Sequence, residues 1–103
     1  GELSHKPALA CAVSASDGGA YVIAELRMSS YKNNRLCWIP EHLIARHVKT
    51  LGNKDDAHND LSAHEAFQQR AHYALQLLVA YADALGPVRA GGLIDHETFM
   101  NGL

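Results

Sequence analysis

The stretch from Ser62 to Leu85 constrains this chain more than any other. Ser62-Ala63-His64-Glu65 reads as a capping box, in which the serine hydroxyl accepts from the Glu65 N–H and the Glu65 carboxylate reaches back to Ser62. Gly86-Pro87 is a stop signal, so the spacing predicts a helix of about 23 residues, roughly 34 Å long at 1.5 Å per residue. Phe67, Ala71, Ala74, Leu78, Tyr81 and Leu85 recur at steps of four and three, the period of a helix–helix seam. Glu65, Gln69, His72, Gln76 and Asp83 lie opposite. Between Tyr73 and Ala82 only Gln76 is strongly polar, so this half is apolar nearly all round and needs protein on more than one side.

A chain of 103 residues has a radius of gyration of about 13 Å when compact, hence a diameter of about 26 Å. The helix is longer than that. Its surplus apolar surface is most readily hidden in a symmetric pair, and the expected partner is a second copy bound through Phe67, Ala74, Leu78, Tyr81 and Leu85. The competing expectation is that the tail covers it. Gly91-Gly92 can turn the chain back, Asp95 can cap a short helix, and Leu93, Ile94, Phe99, Met100 and Leu103 supply apolar groups.

Ahead of this helix three apolar runs alternate with turn formers. Ala8 to Val13 is followed by Ser14-Ala15-Ser16-Asp17-Gly18-Gly19 and then Ala20 to Arg27, and Asp-Gly between two apolar runs signals a β-hairpin. A second turn, Ser29 to Asn34, leads into Arg35-Leu36-Cys37-Trp38-Ile39. Pro40 then closes the strand and opens a helix over Glu41 to Leu51, with Gly52 as its stop and Leu43, Ile44, Val48 and Leu51 as its buried stripe. The expected fold is α+β: a three-stranded antiparallel meander, two helices with the second long, and a short C-terminal segment. One domain spans 1–103, divided into a leader at 1–7, the meander at 8–39, a helical part at 40–85 and a tail at 86–103. Trp38, just before the strand-to-helix corner, is expected in the core with its N–H near a partner.

Composition narrows the class. No apolar run approaches the roughly 18 to 20 residues of a spanning helix, so no membrane role is expected. Two cysteines are too few for a secreted disulfide framework, which points to a reducing, cytoplasmic setting. Residues 1–54 hold seven basic and four acidic side chains, and 55–103 hold two and seven. Such polarity suits an anionic partner for the first half or self-association between opposite patches. Arg27, Lys32 and Arg35 bracket the second turn with Tyr31, Asn33 and Asn34, and Arg46 and Lys49 follow. These five cations are the candidate nucleic-acid surface, as an alternative to protein binding.

Catalytic chemistry finds no anchor. His42 and His47 stand five apart, about 140° around a helix, and cannot share an ion. His64-Glu65 lacks the second histidine of a zincin, and Glu65, His72 and His58 come nearest to a ligand set without forming one. Neither a metal nor a cofactor is expected. Cys11 and Cys37 read as small core groups, although Cys37 with His42 or His47 is the nearest approach to a nucleophile pair. The serines sit where turns and caps want them, and no Gly-x-Ser-x-Gly or phosphate loop occurs. The sequence therefore favours a small non-catalytic interaction or regulatory module. A third alternative is a small enzyme or ligand-binding module whose pocket forms at an interface.

Overall fold

The first apolar run folds as the strand it resembles, and its neighbours do not follow as expected. The computed structural model describes residues 1–30, 32 and 34–101. It orders them as β1 (Pro7–Val13), α1 (Gly19–Ser29), β2 (Cys37–Ala45) and α2 (Leu61–Ala90), with 3-10 turns at Val48–Thr50 and Asp56–His58. The α+β class holds, but the antiparallel three-stranded meander is overturned: β1 and β2 form a two-stranded sheet and run parallel. Parallel neighbours cannot be joined by a hairpin, so the chain must cross back over the sheet. α1 is that crossover.

Residues Ala20 to Arg27, expected as the second strand, are the body of α1. Gly19 and Ile23 are buried one helical turn apart, while Tyr21 and Val22 between them are exposed. An apolar run this short does not separate a strand from a buried helix by its period. Asp17-Gly18 leads into the helix instead of closing a hairpin, with Gly18 as N-cap. A Cβ on Gly19 would overlap Cγ2 of Ile44, so glycine is what lets α1 start flush against β2.

The helix expected over Glu41 to Leu51 is also absent. β2 continues to Ala45, and only Val48–Thr50 turns. Ala8 stands opposite Trp38 and Ala10 opposite His42, so Ile39-Pro40-Glu41 bulges opposite Leu9. A bulge is where a strand tolerates a proline's missing N–H. Leu43 and Ile44 thus point to opposite faces of the sheet instead of sharing a helical stripe.

One face carries Ala10 and Ala12, buried with Ile23 of α1 and flanked by Leu26, Trp38 and Ile44. The Trp38 indole N–H donates to Ser30 Oγ at 3.0 Å. Strand alternation turns Glu41, Leu43 and Ala45 to the other face, where α2 lies and Arg70 pairs with Glu41 at 2.7 Å. The core mixes alanines at 10, 12, 45 and 74 with Ile23, Ile39 and Leu43, and among the described residues no large side chain is completely buried.

α2 starts earlier and ends later than the sequence suggests. Its N-cap is Asp60, whose Oδ1 accepts from Ala63 N at 3.2 Å. Asp60 is as good a cap as Ser62, and it takes the role the Ser62–Glu65 box was expected to play. The helix runs through Gly86-Pro87 to Ala90, 30 residues in all, since a proline removes one intrahelical bond without forbidding the next turn. Residues ahead of β1 are hydrogen-bonded: His5 N donates to Arg35 O, Cys37 N to Lys6 O, and Arg89 Nη1 to His5 O.

The tail does not wrap α2. Leu93, Phe99 and Met100 are exposed, and Leu103 lies outside the described residues. Asp95 caps a turn instead of a helix, its Oδ1 accepting from Thr98 N at 2.8 Å and Glu97 N at 3.1 Å. The Thr98 amide, then the Thr98 side chain, hold its carboxyl below the ordinary 3.8. A depressed carboxylate stabilises the turn at all pH values above the ordinary one and stops doing so as pH falls through the lowered one. The protection of the Thr98 amide, its exchange rate relative to an unstructured peptide at the same pH, is therefore expected to hold above the ordinary carboxylate range and to fall only as pH drops through the lowered value.

Candidate interaction surface

Of the residues expected at an interface, Ala74 is 0% exposed and Phe67, Leu78 and Leu85 are half-buried on the face α2 turns to the sheet, while Tyr81 is exposed. The seam of fours and threes thus lies largely on the chain's own strands. What stays bare is the flank beside it, where Leu75 is 52% and Val79 62% exposed. Tyr73 is half-exposed on the opposite flank.

The flank can be placed on the sheet. Leu75, Ala82 and Arg89 recur every seven residues and share one side of α2, and Arg89 donates to His5 O at 3.1 Å, two residues ahead of β1. This side therefore overhangs β1. Cys11 stands opposite Leu43 and Val13 opposite Ala45, so both point to the α2 face, and both are exposed, Val13 at 67%. Leu75 and Val79 are thus the bare residues on the β1 side of α2, and Cys11 and Val13 the exposed ones on the α2 face of β1.

The sheet ends at β1 in an unpaired strand edge. β1 hydrogen-bonds to β2 on one side and to no other strand among the described residues. Strand edges in monomeric proteins are blunted by charge, proline or a bulge. β2 has all three devices, in Glu41, Pro40 and the irregularity at 39–41. β1 has one, Pro7 at its first position, and none from Ala8 to Val13. Its near-continuous apolar composition is that of a strand covered on both faces.

The whole-molecule dimensions agree. The accessible surface is 7284 Å², against about 5,700 Å² for a compact monomer of this mass. The radius of gyration is 16.9 Å and the long axis 56 Å, against about 13 Å expected for that radius.

The candidate nucleic-acid residues do not gather. Arg27 donates to Glu41 O at 3.1 Å, and Arg35 is held by His96 at 2.9 Å and by Phe99 O. Arg35 precedes β2 while Arg46 and Lys49 follow it, and a nine-residue strand puts roughly 30 Å between them. Lys32 is exposed in the α1–β2 connection, Asn34 accepts from Leu36 N at 2.8 Å, and Tyr31 and Asn33 lie outside the described residues. Cys11 and Cys37 are free thiols. Among the described residues no three metal-ligating side chains cluster, and no helix is long and apolar enough to cross a membrane.

Fold and surface together define a parallel β-α-β unit carrying one long helix, with an open strand edge and an uncovered apolar flank. Compared with known protein families, curated proteins and solved structures, the chain matches none.

Proposed function

We propose that this chain is a small non-catalytic interaction module that forms a homodimer through the open edge of β1 and the α2 flank above it. The observations that carry this reading are the edge of β1, free of charge, proline and bulge from Ala8 to Val13, and the bare Leu75 and Val79 of α2. The second copy is the fitting occupant on three grounds. The surplus surface, about 1,600 Å² over a compact monomer, exceeds the roughly 800 Å² each partner contributes to a stable interface. Ala71 to Ala82 contains no formally charged residue, so two copies meet there without repulsion. A two-fold axis normal to the sheet runs both β1 and α2 antiparallel to their copies; centred on Leu77, it sets Leu75 against Val79 and brings His72 beside Asp83.

Sedimentation equilibrium between one and one hundred micromolar tests this directly. A mass twice 11.2 kDa, falling toward it on dilution, supports the reading. A constant 11.2 kDa over that range refutes it.

A further inference from the structure

A cavity of about 630 Å³ opens at the carboxyl end of β2, between the 3-10 turn at Val48–Thr50 and the first half of α2. Its volume falls in the range of small-molecule sites, roughly 300 to 1,000 Å³. Apolar side chains line it from three elements: Leu43 from β2, Leu51 from the turn that follows, and Phe67 from α2. It also carries charge of both signs, part of it already engaged. Arg70 is paired with Glu41 at 2.7 Å, His47 with Asp17 at 2.9 Å, and the Asp60 carboxylate caps α2. Arg46 and Lys49 also line the cavity, and neither has a carboxylate partner among the described residues.

Two unengaged cations beside an apolar, aromatic-bearing wall define a complementary shape: one flat apolar body with one anionic group. We propose that this cavity binds a small aromatic carboxylate, its ring against Phe67 and Leu51 and its carboxylate between Arg46 and Lys49. Apolar contact supplies most of the affinity in such sites and the few polar groups fix orientation. Arginine meets a carboxylate with two parallel N–H donors, and lysine adds a point charge. The site lies at the carboxyl end of β2 and needs no residue of the proposed dimer surface, so the two readings fail independently.

The test uses 2-naphthoate and its uncharged counterpart 2-naphthalenemethanol, titrated into isotope-labelled full-length protein and followed by amide chemical shifts. Saturable shifts within residues 43–51 and 63–70 are expected for naphthoate, with binding at least tenfold weaker for the alcohol. Arg46→Ala with Lys49→Ala is expected to weaken naphthoate at least tenfold and leave the alcohol within twofold; both side chains are exposed, so the fold is retained and the unligated spectrum verifies it. Phe67→Leu keeps an apolar side chain at a half-buried site and is expected to weaken both compounds. Absence of saturable shifts up to millimolar naphthoate overturns the proposal. So does equal binding of acid and alcohol, or wild-type affinity in the double variant.

Discussion

Leu75→Glu combined with Val79→Glu is expected to weaken self-association at least one hundredfold. Covering each aliphatic side chain contributes about 1.5 to 3 kcal/mol, and a carboxylate in its place must be stripped of water without a partner. One hundredfold corresponds to about 2.7 kcal/mol, less than the two losses combined. The folded protomer is expected to be unaffected, because both positions are exposed in it and glutamate is a good helix former. Gln76→Glu, on the polar ridge, is the matched control and should shift the dissociation constant by less than threefold. Equal weakening by Gln76→Glu would mean that charge anywhere on α2 disrupts pairing and that the flank has no special place in it.

Gly19→Ala is expected to destabilise the protomer by about 1 to 3 kcal/mol, the ordinary cost of forcing extra volume into a packed contact. The added methyl meets Cγ2 of Ile44, a branched side chain close to its own backbone, and the next nearest group, Ser14 Oγ, lies 3.4 Å away. Relief requires α1 to lift from β2 and loosen Ile23 and Leu26, which seat α1 on the buried cluster. In a domain of this size each kcal/mol moves the melting midpoint by about 4 to 8 °C. Gly18→Ala is the internal comparison. Nothing lies within 4 Å of its added carbon, and φ is −74°, so the reduced freedom of the unfolded chain is set only against the poorer N-cap that alanine makes, and a net effect within about 1 kcal/mol of zero is expected. Similar melting midpoints for the two variants would show that α1 does not seat on Ile44.

Much of α2 is legible in the sequence because its period persists from Phe67 to Leu85, about five turns, and β1 is legible because its flanking turn formers bound it sharply. The segment between them is not. Ala20 to Arg27 holds valine, isoleucine and tyrosine, which favour strands locally, yet the sheet that would accept such a strand is only completed by β2, and a parallel partner demands a crossover at that place. Pro40 misleads for a related reason: proline opens helices and also sits in bulges, and only the register of β1 against β2 tells which. Asp60 and Ser62 are both competent caps two residues apart, and local chemistry alone does not choose between them.

The same limit governs the candidate surface. The stripe of Phe67, Ala74, Leu78 and Leu85 is the most regular apolar line on α2, and regularity marks the face with the strongest packing demand without naming what meets it. Here the chain's own sheet faces it. The surplus itself was readable, since Tyr73 to Ala82 has too few polar residues for a helix covered on one side. Which flank remains bare depends on where α2 crosses the strands, a fact fixed by Arg89 reaching His5 O some 84 positions away. A meander would also leave β1 at an edge; what changes is its one neighbour, β2 running parallel in place of Ala20 to Arg27 running antiparallel.

Intermolecular nuclear Overhauser effects in an equimolar mixture of isotope-labelled and unlabelled protein probe this surface most directly. Pairing of two copies across the dyad predicts cross-chain effects from the Leu75 and Val79 methyls to each other, together with β1 amide contacts that link one copy's Ala8–Val13 to its partner's. A spectrum lacking any cross-chain signal at these residues, at concentrations well above the dissociation constant, or showing cross-chain signal confined to α1 or the tail, contradicts it.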